Sequence, residues 1–183
     1  MCCAGTRRGF CPKLSQQGVA TVIGDATDES SVKKACELAG KHTVIVSTLG
    51  GSAGAHYLAQ RLIIDTAEHC GIKQMLLVTS LGCGDSWATM SERAKKSFRT
   101  FSTGKVSGRS RLQTSTLNYE ILRPGGLVNG AVTGTGKCFY QQEIHGYIHR
   151  TELASVIMQK ISTATLDNCV YIVVDPGLLP ADK

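Results

Sequence analysis

The chain has 183 residues, 42% apolar and 19% charged, with a formal net charge of +6. That length suits one domain, spanning 1–183, and lets it bury roughly 70% of its unfolded surface around a single core. No apolar run nears the ~20 residues that cross a bilayer, and no apolar stretch follows Arg7-Arg8 as in a signal peptide, so the expectation is a cytoplasmic protein with no membrane partner.

From the N-terminus, a short apolar start runs into Arg7-Arg8. "VATVIG" (19–24) is β-branched, short and stopped by glycine, so it reads as a strand. "ESSVKKACELAG" (29–40) reads as a helix, with Asp28 as N-cap and Gly40 as C-terminal stop. "HTVIVSTLG" (42–50) is a second buried strand. A long helix over about 53–70 carries apolar residues at helical spacing and ends before Gly71. "KQMLLVTSLG" (73–82) is a third buried strand.

Residues 86–101 are polar and basic and read as a helix or a lid. The basic run from Arg93 to Arg111 is either a solvated face or a wall facing phosphates. Few aromatics and no recognition motif accompany it, which argues against nucleic acid. Residues 105–116 form a helix candidate that Gly108 weakens. "NYEILRPGGL" (118–127) is a strand running into a Pro-Gly-Gly turn. "YIHRTELASVIMQKI" (147–161) is a short strand followed by an amphipathic helix, and "VYIVVDP" (170–176) is a last strand.

Strands alternating with helices imply βαβ units. The predicted fold class is α/β, a doubly wound, mostly parallel, Rossmann-like sheet. The eight cysteines form no CxxC pair, and Cys36, Cys70, Cys138 and Cys169 fall in or beside apolar segments as free thiols, so no metal site is expected.

Ligands of such sheets bind at the carboxyl ends of the strands. The residues there are Arg7 and Arg8; Gly24, Asp25 and Ala26; Ser47, Thr48, Leu49 and Gly50; Thr79, Ser80 and Leu81; and Arg123, Pro124 and Gly125. Small and hydroxyl side chains dominate, leaving room for a flat ligand.

Taken in order, "VIGDATD", "VIVSTLGG", "LLVTSLG", "YEILRPGGL" and "YIHRTELA" resemble the atypical short-chain dehydrogenase/reductases, in the NmrA-like and biliverdin-IXβ (flavin) reductase branch. The resemblance implies an NAD(P)H-dependent reductase passing hydride to a planar acceptor such as a flavin or quinone. It assigns Arg7 or Arg8 to the 2′-phosphate of NADP, which a forked guanidinium suits. It assigns Asp25 and the Ala26 backbone to the adenine, and the turn Ser47-Thr48-Leu49-Gly50 to the ribose and nicotinamide side. Ser80, after Thr79, falls beside the nicotinamide. The Arg123-Pro124-Gly125 turn closes over that end, supported by Arg150. A structural role competes at several of these positions: Arg123 and Pro124 as a fixed turn, Asp25 as a loop brace, Thr79 as a strand terminus.

The chain departs from the family pattern twice. Counting back from "ILRP", Lys105 takes the lysine position of Tyr-x-x-x-Lys, but Phe101 stands for the tyrosine and has no hydroxyl to act as an acid. The resemblance then implies direct hydride transfer with a solvent proton, Ser80 orienting the reactants and Lys105 supplying charge. Second, no G-x-x-G-x-x-G precedes Arg7, so the first βα unit and its pyrophosphate loop are expected to be lacking, leaving an N-terminally truncated fold with NADP binding weakened or lost. "TLGGSAGAHY" (48–57) lies between strand and helix but lacks the fingerprint spacing. "GTGKC" (134–138) fails as a Walker loop.

A missing first strand would open the middle of the sheet. Residues 1–6 and "VATVIG" are therefore expected either to re-pair with "HTVIVS" or to exchange with a second chain in a homodimer. The alternative function is a non-catalytic, NmrA-like nucleotide-sensing or dimerising regulator.

Overall fold

The structure, a computed structural model, describes residues 2–5, 11–50, 53–81 and 102–178. Its larger sheet has five strands in the order β3 (Val44–Ser47), β4 (Gln74–Val78), β5 (Asn118–Pro124), β9 (Cys169–Val174) and β7 (Lys137–Tyr140). The first four run parallel, and β7 closes the edge antiparallel to β9. This is the Rossmann-like, mostly parallel sheet with helices on its faces that the alternating pattern implies.

The parallel strands read as near-continuous apolar runs because both faces of the sheet are covered. One face packs against α2 (Glu29–Ala39), α3 (Ala53–His69) and α4 (Ser102–Gln113). There Val32, Ile64, Ala67 and Leu112 meet Met75, Leu77 and Ile121. The other face packs against α5 (Arg150–Ile161), whose Leu153 and Val156 meet Leu76, Val78, Leu122 and Val173.

Local chemistry sets the helix ends. Asp28 caps α2 by accepting from the Ser31 amide at 3.0 Å. The hydroxyls of Ser31 and Ser30, followed by that amide, hold its carboxyl down at about 2. Gly40 and Gly71 end α2 and α3 with φ of 80° and 72°, the left-handed region glycine tolerates. Arg111 ties α4 to α3, with Nη2 2.6 Å from Asp65 Oδ1 and 2.7 Å from Glu68 Oε2. Gly108 lets the two helices close, since a Cβ there would lie 2.9 Å from Gln60 Cγ. The residue that lowers α4's helix propensity is what allows its packing.

The N-terminal strands stand apart. β1 (Cys2–Gly5) pairs in parallel with β2 (Ala20–Ile23) in a sheet of two strands, with α1 (Cys11–Gln16) between them in sequence. This corrects the expected re-pairing of this segment with "HTVIVS". Among the described strands β3 pairs with β4, while residues 2–5 pair with β2. The pair is carried by α2, in which Val32 and Cys36 reach the main core. A third sheet, β6 (Gly126–Val128) with β8 (Tyr147–His149), sits at the opposite end and joins β9 through a Tyr147–Asp175 bridge.

Candidate functional site

Three adjacent parallel strands, β3, β4 and β5, end on one rim. Ser47 closes β3, only 4% exposed, and its hydroxyl donates to Gln60 Oε1 at 3.0 Å. Gln60 is fully buried, and its Nε2 finds no acceptor among the described residues. The turn that follows is held from below by buried His56, which donates through Nε2 to the Leu49 carbonyl at 2.9 Å. Thr48 and Gly50 remain exposed, and a Cβ on Gly50 would meet open space.

The ends of β4 and β5 are laced together. The amide and hydroxyl of Thr79 both donate to the Leu122 carbonyl, at 2.8 and 3.3 Å. The Leu81 amide donates to the Pro124 carbonyl at 2.9 Å, and Arg123 Nη2 donates to the Leu81 carbonyl at 2.9 Å. Ser80 lies between, 8% exposed. The Gly125 amide donates to Val173, and a Cβ there would stand 2.2 Å from the Gly146 carbonyl oxygen, so the turn demands glycine. Thr79, Arg123, Pro124 and Gly125 thus build the rim.

Ser47, Thr48, Leu49, Gly50, Thr79, Ser80, Arg123, Pro124 and Gly125 are brought together at these strand ends. Asp25 and Ala26 follow β2 in the separate pair. Asp25 Oδ1 accepts from the Thr27 amide at 2.8 Å and the Thr27 hydroxyl at 2.7 Å, which hold its carboxyl below the ordinary range. It braces its own turn. Lys105 lies in the first turn of α4. Arg7, Arg8, Phe101 and the 86–101 segment lie outside the described residues.

A second cluster escaped the sequence reading. Glu152, in the first turn of α5 and 3% exposed, accepts three backbone amides: Thr133 at 2.8 Å, Gly134 at 2.9 Å and Gly136 at 2.9 Å. Asp175, at the end of β9, accepts the hydroxyls of Thr133 at 2.6 Å and Thr135 at 2.8 Å and the Gly177 amide at 3.0 Å. These bonds hold both carboxyls below their ordinary range, led by the Gly134 amide at Glu152 and the Thr133 hydroxyl at Asp175. The "TGTG" amides that suggest a phosphate loop are filled by the protein's own carboxylate. Thr-Gly alternation followed by a glutamate at a helix start was the available signal. Arg150 donates to Asn129 Oδ1 at 2.8 Å and extends the clamp.

The rim fits the nicotinamide-ribose half of a dinucleotide. It offers small side chains and an exposed glycine turn at the carboxyl ends of parallel strands.

Residues 11–164 match the model of a family described as NAD(P)H-binding. The solved anaerobilin reductase ChuY of Escherichia coli O157:H7 is 46% identical, with a TM-score of 0.93 over 98% of this chain and 86% of that one. The ChuY structure from E. coli CFT073 is 44% identical, with a TM-score of 0.87 over the same shares. A curated relative from Bacillus subtilis strain 168, an uncharacterized sugar epimerase named YhfK, is 25% identical over 84% of this chain and 70% of its own length.

Proposed function

The chain belongs to the NAD(P)H-binding family, in its NmrA-like and biliverdin reductase-like branch, and from that premise we propose that it is an NADPH-dependent reductase of a planar, conjugated tetrapyrrole. The observation that carries the proposal is the laced rim of β3, β4 and β5, formed in a chain 46% identical to an anaerobilin reductase. NADPH supplies a hydride when bound, and the acceptor takes that hydride and one solvent proton, leaving NADP⁺.

The protein's part is placement. The 48–50 turn holds the nicotinamide-ribose side, and Gln60, buried behind it, fixes the Ser47 hydroxyl. The Ser80 hydroxyl orients the reactants, and the Arg123–Leu81 bond keeps the β4 and β5 ends from spreading. Rigid placement of this kind lowers the barrier without an acid on the protein. Lys105 adds positive charge from the start of α4, and Arg7 or Arg8 selects NADP through its 2′-phosphate. Asp25 and Ala26 border the adenine.

The test mixes the protein with NADPH and biliverdin under anaerobic conditions and follows absorbance of both. Acceptor-dependent NADPH oxidation is expected. Gly50→Ala should leave stability within about 0.5 kcal/mol, because its Cβ meets nothing, and should raise the KM for NADPH several-fold. No binding at millimolar NADPH would sink the reductase and leave a non-catalytic regulator.

A further inference from the structure

The short strand β8 presents two ring side chains on one face. Ile148, between them in sequence, is fully buried in the cluster of Leu122 and Leu153. Tyr147 and His149 therefore turn the other way, off that core. Both are half-buried. Each lies across a glycine of the neighbouring segment. A Cβ on Gly126 would stand 2.6 Å from Tyr147 Cδ1, and one on Gly130 would stand 2.3 Å from His149 Nε2. The place adjoins the rim, because Gly126 follows Gly125 directly and pairs with Tyr147 at the start of β6.

The polar atoms the two rings present are complementary. His149 Nδ1 lies 2.8 Å from the Ala131 carbonyl, which can only accept. Nδ1 therefore holds the proton of the neutral ring, and Nε2 is left as an acceptor. The Tyr147 hydroxyl can donate. Neither that hydroxyl nor His149 Nε2 has a hydrogen-bond partner among the described residues. The two residues stand about 7 Å apart along the strand at the usual rise. A donor and an acceptor in a row match a ring edge on which a carbonyl adjoins an N–H, as in a lactam or an imide. A quinone offers the carbonyl alone.

Building on the reductase reading, we propose that Tyr147 and His149 set the specificity for the acceptor: the Tyr147 hydroxyl donates to a ring carbonyl, and His149 Nε2 accepts from the adjacent ring N–H. The pair lays the acceptor's polar edge along β8 and turns its reacting carbon toward the rim.

The variants are Tyr147→Phe, which keeps the ring over Gly126, and His149→Asn, whose amide can still donate to Ala131. The probes are biliverdin for the lactam edge, lumiflavin for the imide edge and menadione for the carbonyl alone, each titrated by fluorescence quenching without NADPH. His149→Asn should weaken biliverdin or lumiflavin about fivefold, the size of one hydrogen bond, and leave menadione within about twofold. Whichever of the two it weakens identifies the edge as lactam or imide. Tyr147→Phe should weaken every probe that binds. Melting curves check that both variants are folded, and on the wild type N3-methyl-lumiflavin, which lacks the N–H, should bind more weakly than lumiflavin. In turnover, the KM for the acceptor should rise several-fold while the KM for NADPH stays unchanged. Failure of the wild type to bind either biliverdin or lumiflavin, or equal losses for all three probes in His149→Asn, or no loss in either variant, would overturn the pair. The two proposals fail separately. Binding losses without NADPH oxidation keep the pair and remove the reductase, whereas NADPH oxidation with unchanged acceptor affinity in both variants does the reverse.

Discussion

The two ends of the molecule are held by different means. At the β9 end, two carboxylates and a strand bridge fasten β6, β8 and the 129–136 loop to the main sheet. At the β1 end, two strands form their own sheet and reach the core through α2. The contrast extends to side chains. On the α5-covered face, Leu76 and Leu122 are fully buried. Val46 in β3 and Ile23 in β2 are 36% and 58% exposed. The half of the fold that would shape an acceptor is a continuous, cross-braced body. The half that would hold the adenine stands on a separate pair of strands.

The sharpest test of that contrast is to truncate matched apolar residues. Leu76→Ala should cost about 3 kcal/mol, since it opens a cavity under α5. Val46→Ala should cost under about 1 kcal/mol, because much of its surface is already in water. Urea titrations of the two variants give the difference. Equal losses would mean that Val46 is covered, and the two halves would then be packed alike.

Next in size is Glu152→Gln. The amide turns a donor toward three backbone donors and leaves at least one buried amide without an acceptor, at a cost of about 2–3 kcal/mol. At 2–4 °C for each kcal/mol in a chain of this size, the midpoint should fall by roughly 4–12 °C. The pH dependence should change as well. The folded carboxyls of Glu152 and Asp175 sit below their unfolded values. Their contribution is complete above the unfolded range near ~4 and is lost as pH falls through it and below. Glu120 works in the opposite sense. Burial raises its carboxyl despite Lys160 Nζ at 3.0 Å, so its contribution is present in acid and is lost as pH rises. Wild type should therefore lose more stability between about pH 5 and pH 2 than Glu152→Gln does. Parallel pH profiles would dissolve the clamp.

Much of the fold was legible because its strands are fully buried. "HTVIVSTLG" and "KQMLLVTSLG" are continuous apolar runs with glycine stops, and they form β3 and β4. β7 was not legible, nor was the partner of the strand expected within residues 1–6, for the same physical reason inverted. "CCAG" has no β-branched residue, and "KCFY" is a short edge strand whose pairing with β9 is non-local. Within the candidate site, position was readable and partnership was not. Ser47 and Thr79 stand at the strand ends as the pattern implies, yet their hydroxyls go to Gln60 and Leu122, contacts 13 and 43 residues away. Glu152 and its amides are separated by 16–19 residues, too far for any local motif to show.

The smallest effect expected is at glycine, where two variants of similar cost separate the two ends. Gly18 precedes β2 with φ of 74° and open space around its Cβ, so Gly18→Ala should lose about 1 kcal/mol to backbone strain alone. Gly108 is helical. Alanine there gains about 1 kcal/mol of propensity, but its Cβ meets Gln60 Cγ at 2.9 Å and Gln60 Cβ at 3.2 Å. Gln60 is fully buried and cannot swing clear, so overpacking of about 2 kcal/mol outweighs the gain and leaves a net loss of about 1 kcal/mol. The displaced Gln60 would then carry the Ser47 hydroxyl and the rim with it. Gly108→Ala should weaken NADPH binding several-fold in a fluorescence titration, while Gly18→Ala, equally destabilised, leaves it unchanged. If both weaken it alike, the β1–β2 pair and the rim move as one body.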